Sequence, residues 1–124
     1  MRTKREIVTD ALREIRVTPI FDTPSGNDYV HVAGMYDEMH ATLVDEGLAY
    51  WPNTNDDTEE IPLQVSSALV SLLAGWISKS YGKEEGTEQD NDGRVVSASV
   101  MAKRTIRRHI SKRPSGEATE FSSY

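Results

Sequence analysis

"EEIPLQVSSALVSLLAGWISKSYG", residues 59–82, is the most apolar stretch of a chain that is otherwise polar and acidic. Val65, Leu69, Leu72, Leu73, Trp76 and Ile77 recur at helical spacing, with Ala68 alongside. Ser66, Ser67, Ser71, Ser78 and Lys79 mark the less buried side. Pro62 suits a first helical turn, where its missing N–H has no partner to lose. An apolar stripe this broad needs neighbours on two sides, so the segment reads as the central helix of a bundle. Trp76 and Leu72 are predicted to lie in the core.

The flanking sequence supplies those neighbours. Thr3 and Glu6 have capping-box spacing, and Ile7, Val8, Ala11, Leu12 and Ile15 then share one helical face. Thr18-Pro19 is the predicted stop, because the residue before proline disfavours helical geometry. A turn-rich connector, "DTPSGND" at 22–28, leads to a second helix over about 28–46. Its face is Val32, Met35, Tyr36, Met39, Leu43 and Glu46, and Gly47 is placed as a C-terminal cap. Tyr50 and Trp51 follow and fold back to close the core. "GKEEGTEQDNDG", 82–93, has almost no apolar groups and is predicted to be a disordered loop. From Arg94 onwards Val95, Ala98, Ala102, Ile106 and Ile110 fit a fourth helix better than a short strand, for which no partner strand is evident. The predicted fold is all-α, a small four-helix bundle with long loops and a flexible C-terminal tail. Residues 1–113 form the helical domain and 114–124 the tail.

Bulk composition narrows the chemistry. The chain has 124 residues, of which 37% are hydrophobic and 27% charged, so one domain with a modest core is expected. With no cysteine there is no disulfide framework, thiolate metal site or cysteine nucleophile. The opening residues lack the apolar run of a signal peptide, and no segment reaches the ~20 apolar residues of a membrane span. A soluble protein with no membrane association is expected. Asp37 and His40 stand three apart, but the second ligand pair that a dinuclear carboxylate site needs is absent. No nucleophile elbow or phosphate-binding glycine loop is present. Neither enzymatic activity nor a cofactor or metal is expected.

The informative feature is charge segregation. The net charge is −6, yet residues 103–113, "KRTIRRHISKR", carry Lys103, Arg104, Arg107, Arg108, Lys112 and Arg113 with no acid among them. Asp56, Asp57, Glu59 and Glu60 form one acidic run, and Glu84, Glu85, Glu88, Asp90 and Asp92 another. Such blocks pair internally, or join copies head to tail. The basic face can bind phosphates or an acidic protein surface, and it can equally be neutralised by the acidic loop. Phe121 and Tyr124 stand in the polar tail and read as docking residues. The candidate partner-binding residues are therefore Arg104, Arg107, Arg108, Lys112, Arg113, Phe121 and Tyr124.

"IVTDALREIRV", the second helix ending in "VDEGLAYW", and "IPLQVSSALVSLLAGWISKSYG" together resemble the small head-to-tail adaptors of tailed phages and prophages, the head-completion or packaged-DNA-stabilisation proteins. The resemblance covers about residues 3–82; family members often carry Leu-Gly where this chain has Ile15-Arg16. It implies a non-enzymatic subunit of a ring, typically dodecameric, made in the host cytoplasm and located in the virion. That ring docks under the portal protein, extends the DNA channel and offers a platform to a tail, nozzle or stopper protein. DNA passes through it without sequence-specific contact. The alternative, from the basic segment 103–113, is a small nucleic-acid-binding or regulatory helical protein.

Overall fold

A computed structural model describes residues 1–84 and 86–111, with Ser111 as backbone only. These residues form α1 (Lys4–Glu14), α2 (Gly26–Asp45), α3 (Leu63–Ser78), a 3-10 turn (Lys79–Tyr81), β1 (Thr87–Gln89), β2 (Val95–Ser97) and α4 (Ala98–Ser111). The described chain is mostly helical, with one two-stranded antiparallel sheet. α3 lies at the centre, packed by α4, α1 and α2. Its Val65, Leu69, Leu73 and Ile77 are fully buried.

The capping box forms as expected: Thr3 Oγ accepts from the Glu6 amide, and the Glu6 carboxylate accepts from the Thr3 amide. α1 ends earlier than its proline suggests. Arg16 turns left-handed at φ 63°, Val17 N–H donates to Leu12 O at 3.0 Å and Arg16 N–H to Arg13 O at 3.0 Å. This bond pair is the Schellman termination, which normally places glycine where Arg16 stands. Thr18-Pro19 therefore lies beyond the stop. α2 ends in the same way with Gly47 at φ 74°, its amide bonding Val44 O and that of Leu48 bonding Leu43 O. It begins two residues before the expected Asp28, because Ser25 caps it through the Asp28 amide.

Trp76 is only partly buried against the core, whereas Leu72 and Trp51 are buried. Ser66 and Ser78 are buried as well; each hydroxyl bonds a carbonyl three residues back, Leu63 O and Gly75 O, which removes the cost of enclosing it. Pro62 precedes the first turn of α3 as its N-cap residue. The acidic segment contains a hairpin: Thr87 pairs with Ser97, Glu88 with Val96 and Gln89 with Val95. Gly93 at φ 79° closes its turn, and Asp90 N–H bonds Arg94 O at 2.9 Å. The strand partner for Val95–Ser97 thus comes from the polar residues just before it, and α4 starts at Ala98.

Lys4 is buried, with its ammonium 2.7 Å from Asp37 and 3.4 Å from Asp56. Tyr29 donates to Asp56 at 2.7 Å, and Arg5 pairs with Asp57 at 2.7 Å. The first acidic run is thereby tied to α1 and α2. Glu60, itself buried, accepts from the backbone and hydroxyl of Thr54. Burial opposes ionisation of Asp37, but hydrogen bonds from Asn53 and Lys4 outweigh it and hold the carboxyl below its ordinary value.

Candidate functional site

α4 has two unlike faces. Ala102 and Ile106 are buried against α3, and Ile110 packs partly on the same core. Ser97 Oγ accepts from the Val100 amide at 3.3 Å and so caps the helix start. The Ala98 amide bonds Gly86 O at 2.8 Å, tying that start to β1. Apolar residues at 102, 106 and 110 fix the rotation of the helix, and positions 104, 107 and 108 are then forced outward. Arg104, Arg107 and Arg108 are all exposed. These three arginines thus share one outer face.

The acidic loop reaches this face. Arg104 lies 3.5 Å from Asp90. Asp90 is also held by the amides of Asp92 and Arg94, each at 2.9 Å from its Oδ1. The Arg94 amide contributes most to holding its carboxyl below the ordinary range; the Asp92 amide and Arg104 add to this, against the cost of desolvation. Lys103 turns the other way and bonds Glu46 at 2.8 Å, linking α4 to the end of α2. Of the six basic residues in the segment, Lys103 is thus a brace, and Arg104 is shared between the hairpin and solvent. Arg107 has no ion-pair partner among the described residues. Lys112, Arg113, Phe121 and Tyr124 lie outside the described residues.

The Asp37–His40 pair is not assembled. His40 Nε2 sits 2.8 Å from Trp51 O while Asp37 serves Lys4 and Asn53. Among the described residues no group of three or more His, Asp or Glu side chains converges as a metal site, and no helix is long and apolar enough to cross a membrane.

A second exposed feature has no periodicity to announce it. Phe21 is 97% and Ile20 68% exposed. They are the two central residues of a turn that Asp22 N–H closes onto Pro19 O at 3.0 Å. Arg13 on α1 clamps that turn by donating to Asp22 O at 2.9 Å. Two adjacent bulky apolar residues beside a proline were the signal in the sequence.

No protein-family model matches the chain, and no curated protein or solved structure does so either.

Proposed function

We propose that this protein is a structural subunit of a tailed-phage or prophage head-to-tail connector. It is a ring-forming adaptor that docks under a portal, extends the DNA channel and presents a platform for the tail or stopper. In this reading the four helices act as one rigid bundle elaborated by the β1–β2 hairpin. The observation that carries it is the outward row of Arg104, Arg107 and Arg108 on a helix whose opposite face is buried against α3. Arginines fixed on a rigid element suit recognition of acidic groups on a partner surface, with little ordering cost. Lys112, Arg113, Phe121 and Tyr124, outside the described residues, are assigned the same docking role from the sequence. At Arg16, whose backbone is left-handed, the chain departs from adaptors of this kind, which often carry glycine there.

Nucleic-acid binding would draw on the same arginines. Asp90 beside Arg104 and a net charge of −6 both oppose a phosphate backbone approaching this face. The two readings separate in one experiment. The purified chain is mixed either with portal-bearing, tailless particles or with duplex DNA, across a range of salt. Saturable attachment to the particles and no retention of DNA at physiological salt is the expected result. Salt-sensitive DNA binding without particle attachment would replace the adaptor reading with the nucleic-acid one.

A further inference from the structure

The Ile20–Phe21 turn is held by two hydrogen bonds, and among the described residues nothing covers Phe21. A fully exposed phenylalanine held in a closed turn favours burial against a partner, since Phe removes about 150–250 Å² from water when enclosed. Directly beside the turn, between α1 and α3, runs a groove of about 460 Å³. Ile20 and Val70 give it apolar wall, and Ser67 and Ser71 of α3 line it further. For scale, a protein cavity of ~150 Å³ takes up benzene. The groove therefore has room for an aromatic ring.

We propose that this patch is a two-fold self-association surface, in which Phe21 of each copy enters the groove of the other. Two features name a second copy as the occupant. Knob and groove adjoin on one patch, and an isologous contact is the arrangement in which such a patch satisfies itself. A head-to-tail contact joins two different patches, so this surface is distinct from any ring contact. The rim of the groove is also electrically balanced. Arg2 bonds Asp10, Arg13 lies 3.8 Å from Asp10, and Glu14 adds a second acid, so two cations face two anions. A rotated copy meets no excess of like charge.

The patch is small. A stable interface buries about 800 Å² per partner, well beyond a knob and a groove, so the dimer is weak and forms in roughly the high-micromolar range.

Sedimentation velocity of the full chain over a concentration series tests this. The wild type shows a rising average mass; Phe21→Ser, which alters only an exposed side chain, stays monomeric, as does Ser67→Trp, which fills the groove. Circular dichroism of each variant matches the wild type. A wild type that stays monomeric throughout overturns the assignment to a second copy and leaves the turn to another protein. Association by Phe21→Ser or by Ser67→Trp equal to wild type overturns the knob-in-groove contact.

Discussion

Ile106→Ala asks whether α4 is an integral part of the fold or an appended arm. Ile106 is fully buried and forms the middle of the apolar edge, between Ala102 and Ile110, that seats α4 on α3. Cutting it to alanine removes three buried carbons and leaves a cavity, at a cost of about 2–5 kcal/mol. A small domain has only about 5–15 kcal/mol in total. For a chain of this size, a mid-range loss of about 3 kcal/mol lowers the melting temperature by roughly 10 °C. Arg107→Ala, one residue on and exposed, should stay within about 0.5 kcal/mol of the parent. Urea unfolding of the three proteins, followed by far-UV circular dichroism, gives both numbers. If Ile106→Ala unfolds at the parent's midpoint, α4 is not seated on α3 as described, and the outward aim of the arginines loses its basis.

Arg16→Gly should raise stability by up to about 1 kcal/mol in thermal unfolding, because the left-handed backbone costs an L-residue about 1–2 kcal/mol while glycine's extra unfolded-state entropy returns part of it. Backbone amides paired across the hairpin, such as those between Glu88 and Val96, should exchange more slowly than those of the exposed Asn91–Asp92 tip; uniform fast exchange from 86 to 97 would restore the disordered-loop expectation. Burial pushes the Tyr36 hydroxyl up to about 12, and burial together with Asp28 does the same for Tyr81. The folded state then holds protons that the unfolded state releases above pH ~10, so stability is full below that pH and falls between about 10 and 12. An ultraviolet titration of the folded protein should show Tyr36 and Tyr81 lagging free tyrosine, together with Tyr29, which burial and its bond to Asp56 also push up, and Tyr36→Phe should flatten part of the alkaline loss.

Helix positions were legible because burial in a helix leaves a periodic trace. Residues 59–82 disclosed the central helix, and Thr3 with Glu6 disclosed the start of α1. The errors came where local chemistry acts without periodicity. Arg16 terminates α1 by adopting a backbone that its side chain does not advertise, so the nearby proline took the credit. Thr87-Glu88-Gln89 forms a strand with every side chain exposed, so it shows no alternation, and only Asp92-Gly93 hinted at a hairpin turn. Trp76 shares the apolar stripe but stands toward its edge, which a stripe wider than one neighbour cannot resolve from sequence alone. Ser66 and Ser78 look polar in sequence, yet a bond to their own helix lets each be buried. For the candidate site, the clustering of Arg104, Arg107 and Arg108 was readable from spacing. The individual pairings of Arg104 with Asp90 and Lys103 with Glu46 were not, because they depend on where the hairpin and the end of α2 come to rest.

In the function we propose, the outer arginines of α4 dock this protein onto a portal. The most direct test changes Arg104, Arg107 and Arg108 together to serine and measures attachment to portal-bearing particles by co-sedimentation. Arg104 gives up its contact with Asp90, but Ala102 and Ile106, which seat the helix, are untouched, so the variant should fold and melt near the parent. This folded variant should fail to attach under conditions in which the wild type saturates the particles. Wild-type attachment by the triple variant would contradict it and return the arginine face to a solvated surface of the bundle.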